Sequence, residues 1–191
     1  MNTLKKGLSD MKTLRKGLDN MKKMLSFTVV IILSMMCIVG CGGDPKQEEL
    51  LNYVNGDDGK EMYELQKKLI ESYGSVTGDN YKDDDTMYQE FEKNTLTYAN
   101  DLNEKATKIA SSIEDEKLGA AHEKYLKYTS TMQSALTKFV EALKEQDPEK
   151  ATAANDLISE ANQYSMDYND ELEKLASEYG VELESGGTSA E

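Results

Sequence analysis

"QDPEKATAANDLISEANQYSMDYNDELEKLASEYG", Gln146 to Gly180, is the stretch on which the fold turns. Asp147 places a side-chain oxygen where the free amides of a helix start need one. Pro148, at the first helical position, gives up a hydrogen bond that no helix makes there. Behind them Ala151, Ala154, Leu157, Ile158, Ala161, Tyr164, Tyr168, Leu172 and Leu175 recur at the spacing that lines one helical face. Gly180 can take the left-handed conformation that closes a helix. The whole segment therefore reads as one long amphipathic helix with a marked start and stop.

Working outward, the same pattern repeats upstream. A third helix carries Leu118, Tyr125, Met132, Leu136, Phe139 and Leu143, entered through the turn "SSIEDEK". A second begins near Thr86, with Asp84 or Asp85 as cap. Its stripe is Tyr88, Phe91, Tyr98, Leu102, Ile109 and Ile113, with Thr95 and Ala106 at small positions. The first helical region runs from about Pro45 to Tyr73, with Leu50, Val54, Met62, Leu65, Leu69 and Tyr73 in register. "NGDDG", residues 55–59, interrupts it; each glycine costs about 1 kcal/mol against alanine in a helix, so a kink or a break falls there. No strand-like alternation of useful length occurs. Four such segments joined by short links predict an all-α, up-down antiparallel bundle of about four helices over residues 48–180. A signal helix would precede it.

Charge divides the chain. Residues 1–40 hold seven Lys/Arg against two Asp/Glu, and residues 41–191 hold fifteen Lys against thirty-four Asp/Glu, so the two parts carry +5 and −19. A body at −19 is repelled by nucleic acid and by anionic lipid, so no nucleic-acid partner is expected. From Met21 the chain reads "MKKMLSFTVVIILSMMCIVGC": two lysines, an apolar run, a small residue and Cys41. That is the layout of a secretory signal over residues 21–40, with the lysines held on the cytoplasmic side.

"IVGC", Ile38 to Cys41, resembles the lipobox of bacterial lipoproteins. The resemblance implies a diacylglyceryl group on the Cys41 sulfur and cleavage between Gly40 and Cys41. Two or more acyl chains anchor stably where one, at about 0.8 kcal/mol per buried methylene, is marginal. The partner so implied is the membrane itself, and the location its outer face. Other readings of the two cysteines fare worse. A Cys37–Cys41 disulfide would use a residue from the discarded segment. An uncleaved span needs more apolar length than this run comfortably offers. Metal ligation lacks further thiols. Residues 1–20 are two near-copies of one decamer and read as a start-site extension. The alternative is a basic amphipathic helix with Leu4, Leu8, Met11, Leu14 and Leu18 on one face. Residues 41–47 read as a tether and residues 181–191 as a disordered tail.

The folded part offers few chemical candidates. "DNYKDDDTMYQE", Asp79 to Glu90, has the length of a calcium loop, but Tyr81 sits where a ligand is wanted and Asp84 where glycine must turn. Asp83, Asp84 and Asp85 fit better as a solvated helix start. His122 is the chain's single histidine. It falls between Leu118 and Tyr125 and reads as a hydrogen-bonded residue at the core boundary rather than a general base. No nucleophile and orienting carboxylate can be read beside it, so neither a metal site nor a cofactor is expected. Eleven tyrosines against three phenylalanines mark a bias toward rings with a polar tip. In a bundle they usually bury the ring and leave the hydroxyl at the edge. Tyr73, Tyr81 and Tyr88, with Asp83, Asp84 and Asp85, are the candidate binding surface around the loop after the first helix.

"YGSVTGDNY", Tyr73 to Tyr81, within residues 48–180, is similar to small helical lipoproteins of low-GC Gram-positive bacteria, proteins without an assigned activity. The abundance of Lys and the lone Arg15 agree with such a source. The expected function is a non-enzymatic, lipid-anchored binding module facing an envelope protein or a cell-wall glycan. The rivals are a surface enzyme or metal-dependent hydrolase, which would need a convergent catalytic set, and an accessory or solute-binding component of a transporter, which would need two lobes.

Overall fold

The computed structural model describes residues 44–183. Gly40 and Cys41, the signal helix expected over residues 21–40, the leading decamers and residues 184–191 lie outside the described residues. The helices are α1 (Pro45–Asn55), α2 (Asp57–Ser75), α3 (Asp84–Glu90), α4 (Leu96–Ala110), α5 (Glu116–Glu145) and α6 (Pro148–Tyr179). A 3₁₀ turn occupies Gly78–Asn80, and a π turn, Phe91–Thr95, joins α3 to α4. The described residues form an all-α bundle of four arms: α1 with α2, α3 with α4, α5, and α6. Side-chain bonds between arms show that neighbours are antiparallel. Lys105 pairs with Asp58 and Glu61 while Glu90 meets Ser72. Asn100 meets Gln133 while Asn103 meets Thr129. Lys117 pairs with Glu178 and Lys124 with Glu171.

Four aspartates start the arms. Asp44 accepts from the Lys46 amide, Asp83 from Thr86, Asp115 from Leu118, and Asp147 from Glu149 and Lys150. Each quiets amides that a helix start leaves without partners. Asp83 replaces the expected Asp84 or Asp85, because the extended backbone that a cap requires falls at Asp83 (φ −158°, ψ 166°). α1 begins at Pro45, inside the stretch read as tether. α6 ends at Gly180 in the left-handed region (φ 68°), and the Val181 amide returns to the Ala176 carbonyl at 2.8 Å. That closure folds Val181 onto the core, so the tail assigned to residues 181–191 does not begin at Val181.

"NGDDG" is a break. Gly56 is extended (φ −66°, ψ 173°) between two helices. A Cβ at Gly59 would lie 2.3 Å from the Tyr53 carbonyl oxygen, so α1 ends backbone-to-backbone against the first turn of α2.

The π turn changes the register expected for the second arm. Met87, Phe91, Thr95 and Ala99 are buried, each four residues after the last. At 3.6 residues per turn such a run would drift off the core face. The wider π turn absorbs the drift. Spacing then returns to threes and fours at Leu102, Ala106 and Ile109. Met87 and Ala99, at 1% exposure, thus occupy the core where Tyr88 and Tyr98 were expected; both tyrosines are partly exposed. Phe91 lies between Tyr73 and Phe139, with ring centroids 5.3 and 5.5 Å away.

The displaced register can be checked by urea unfolding. Met87→Ala should lower stability by about 2–5 kcal/mol, the usual cost of emptying a core site. Tyr88→Phe, which removes only a surface hydroxyl, should change it by no more than about 0.5 kcal/mol. Equal losses would contradict the register.

Candidate functional site

The residues read as a binding surface divide. Tyr73 does not belong to it: at 4% exposure it is a core residue stacked on Phe91, because it continues the face of Leu69 one turn on. Tyr81, Asp83, Asp84, Asp85 and Tyr88 do share one end of the bundle. The loop that carries them is built by its own bonds. Thr77 donates to the Tyr73 carbonyl at 2.7 Å, and Asn80 to the Gly74 carbonyl at 2.9 Å. Tyr81 donates to Asp84 Oδ1 at 2.7 Å; desolvation and that bond push its hydroxyl up to about 12. Tyr88 donates to Glu92. The Thr86 amide holds the Asp83 carboxyl below its usual value. Seven of the twelve residues from Asp79 to Glu90 are helical in α3, so their carboxylates do not wrap around one point. This end can offer carboxylate oxygens from a fixed frame, and its tyrosine hydroxyls are already committed to carboxylates.

A second constellation lies inside. His122 is 1% exposed, in the bundle interior rather than at the expected boundary. Its Nε2 is 2.8 Å from the Ala106 carbonyl and its Nδ1 is 2.8 Å from the Tyr53 hydroxyl. A carbonyl only accepts, so Nε2 carries the proton and Nδ1 of the neutral ring accepts from Tyr53. Tyr53, its proton spent, accepts from the Tyr168 hydroxyl at 3.2 Å. Beside it Tyr125 donates to Gln66 Oε1 at 2.9 Å. Burial pushes the His122 imidazole below its usual range, against the opposing Ala106 bond. Burial also raises Tyr53 and Tyr125 well above 10, and Tyr168 to about 12.

A third cluster ties the other end. Asp115 Oδ1 accepts from the Leu118 amide and from the Tyr179 hydroxyl, both at 2.8 Å, while Lys46 stands 3.4 Å from Oδ2. Burial pushes this carboxyl up, but the three donors together hold it below 3.8. Glu49 accepts from the amides of Glu114 at 2.6 Å and Asp115 at 3.0 Å, and Gln47 donates to the Gly180 carbonyl. Sequence reading missed both clusters. Gln66, between Met62 and Leu69, was a legible signal: a polar residue on a buried stripe. Glu49 had none, since its partners are 65 and 66 residues away.

Among the described residues, no group of three His, Cys, Asp or Glu side chains could hold a metal ion. No family model matches the chain, and neither a curated protein nor a solved structure matches it.

The buried hydroxyls set an alkaline limit. Folding raises their pKa above the unfolded value of about 10, so their stability is present below pH 10 and is lost as pH rises toward the folded values. The urea midpoint should hold to about pH 10 and then fall, less steeply for Tyr168→Phe. A midpoint unchanged at about pH 11 would contradict the burial of these groups.

Proposed function

We propose that this chain is a bacterial lipoprotein: a non-enzymatic helical module held on the outer face of the cell membrane by lipid on Cys41, binding a partner in the envelope. The observation that carries the reading is "IVGC" behind a basic and then apolar segment. Several features support it. Asp44 and Pro45 follow Cys41 closely, so an anchor there would hold the bundle by the end where Lys46, Glu49, Asp115 and Gly180 gather. The turn carrying Tyr81, Asp83, Asp84 and Asp85 is at the opposite end, because α1 and α2 run the length of the bundle before it. A body at −19 is pushed away from an anionic leaflet within a Debye length of about 8 Å. Loops on rigid scaffolds are where binding residues concentrate.

The chemistry that suits this outer end is a basic protein segment, or a glycan whose hydroxyls donate to carboxylates. The non-enzymatic reading draws on His122, the residue type that most often serves as general base, which is engaged on both ring nitrogens inside the core. The Lys-rich, Arg-poor composition supports a low-GC Gram-positive source.

Two experiments test the reading. Cys41→Ala should leave an unprocessed precursor with no lipid label, and normal labelling would overturn the anchor. A photo-crosslinker at Asp79 should capture envelope protein or wall material, while one at Ser112 should capture lipid. Lipid capture mainly at Asp79 would reverse the orientation and remove the acidic end as the binding face.

A further inference from the structure

We propose that the Tyr168–Tyr53–His122 chain is an acid-released latch that holds α1 against the bundle. Three observations meet here. The first is how little else keeps α1 in place. It is a short helix of eleven residues that buries three, Leu50, Tyr53 and Val54, so the apolar surface holding it is small in absolute terms beside that of the thirty-residue α5 and thirty-two-residue α6. Beyond these, Leu51 packs partly buried on the core and the last turn abuts the start of α2, and the attachments from Lys46, Gln47 and Glu49 are polar and lie at the end of the bundle. Elements with few buried apolar contacts open locally at lower free energy than the whole fold.

The second observation is the direction of the protons. With Nε2–H fixed on the Ala106 carbonyl, a proton added to the ring goes to Nδ1. Nδ1 then becomes a donor facing the hydroxyl that was donating to it, 2.8 Å away. Tyr53 must turn its own proton toward Tyr168, and Tyr168 loses Tyr53 as its acceptor. One proton thus leaves a buried charge and a displaced hydroxyl proton.

The third is the surroundings of the ring. The titratable groups facing it are tyrosines: Tyr53 from α1, Tyr168 from α6 through Tyr53, and Tyr125 from its own helix, 6.1 Å between centroids. α4 contributes the Ala106 carbonyl, and the adjacent Lys105 is spent on Asp58 and Glu61 of α2. Among the described residues, no carboxylate pairs with the imidazole, and burial already disfavours its charged form. Lifting Tyr53 away with α1 lets water reach Nδ1 while the core shared by α2, α4, α5 and α6 stays closed.

The sign follows from linkage. His122 has a folded pKa below its open value of about 6.5, so the closed state is favoured above that pH and loses ground as pH falls through it, up to tenfold per unit. The Asp115 carboxyl that meets Lys46 is held below its usual value, so it is not what changes between about pH 5 and 7.5. On the lipoprotein reading, release would lengthen the tether. The eleven residues of α1, at about 3.3–3.6 Å each when fully extended, would add up to roughly 35–40 Å of tether length. The latch itself does not depend on the anchor.

The test uses the full chain in detergent micelles, without a polyhistidine tag, so that His122 gives the one imidazole signal. Amide hydrogen exchange is followed with that signal from about pH 7.5 to 5. The expected result is that α1 protection falls as pH drops across this range, by at most about thirtyfold, while interior amides of α5 and α6 keep theirs. Tyr53→Phe keeps the ring but removes the donor. It should lower α1 protection already at neutral pH, with the acid response retained. The proposal is overturned if α1 protection does not change with pH, if α1, α5 and α6 open together, or if Tyr53→Phe exchanges like the parent. Cys41→Ala should leave all of this unchanged, which separates failure of the latch from failure of the anchor.

Discussion

The Ala106 carbonyl can only accept, and from that follows the direction of every proton in the polar chain at the centre of the bundle. It fixes the tautomer of His122, hence the donor role of Tyr53, hence that of Tyr168. These residues come from α4, α5, α1 and α6. A buried donor or acceptor left without a partner costs about 1–3 kcal/mol. Sliding any one of these helices would leave at least one such group behind. An apolar core tolerates small shifts far more readily, so the tyrosine-rich interior determines the relative register of the arms. The same holds one layer on, where Tyr125 meets Gln66, and between the first two arms, where Ser72 meets Thr95 at 2.6 Å.

That register gives the bundle two different ends. One is tied by Asp115, Glu49, Lys46 and Tyr179, which draw the starts of α1 and α5 and the end of α6 together. The other presents the Asp83–Asp85 run on a turn braced by Thr77 and Asn80. On the proposed reading the chain is held at the first end and binds at the second, and the shared core of α2, α4, α5 and α6 joins the two. The exception is α1, the arm's least buried helix and the one next to the proposed anchor.

What the sequence made legible was local. Asp147, Pro148 and Gly180 marked α6 correctly because caps act within a turn or two. The stripes of α5 and α6 were legible because regular helices keep one period. The second arm broke the reading at the π turn, where three successive steps of four moved Met87 and Ala99 into positions expected for Tyr88 and Tyr98. Tyr73 had two readings, stripe and surface, and packing on Phe91 decided for the stripe. His122 looked like a boundary residue because its partner Tyr53 lies 69 residues away, next to Val54, which alone was counted as core. Pairings of that kind are tertiary facts with no periodic signature.

The central claim is that His122 is a sealed, neutral imidazole protonated on Nε2 and accepting at Nδ1. Nitrogen-15 NMR of the chain's single histidine at neutral pH reads this directly. The account predicts one sharp imidazole with a protonated Nε2 and an unprotonated, hydrogen-bonded Nδ1, scalar-coupled to the Tyr53 hydroxyl proton. A ring protonated on Nδ1, on both nitrogens, or averaging between tautomers as in solvent would contradict it.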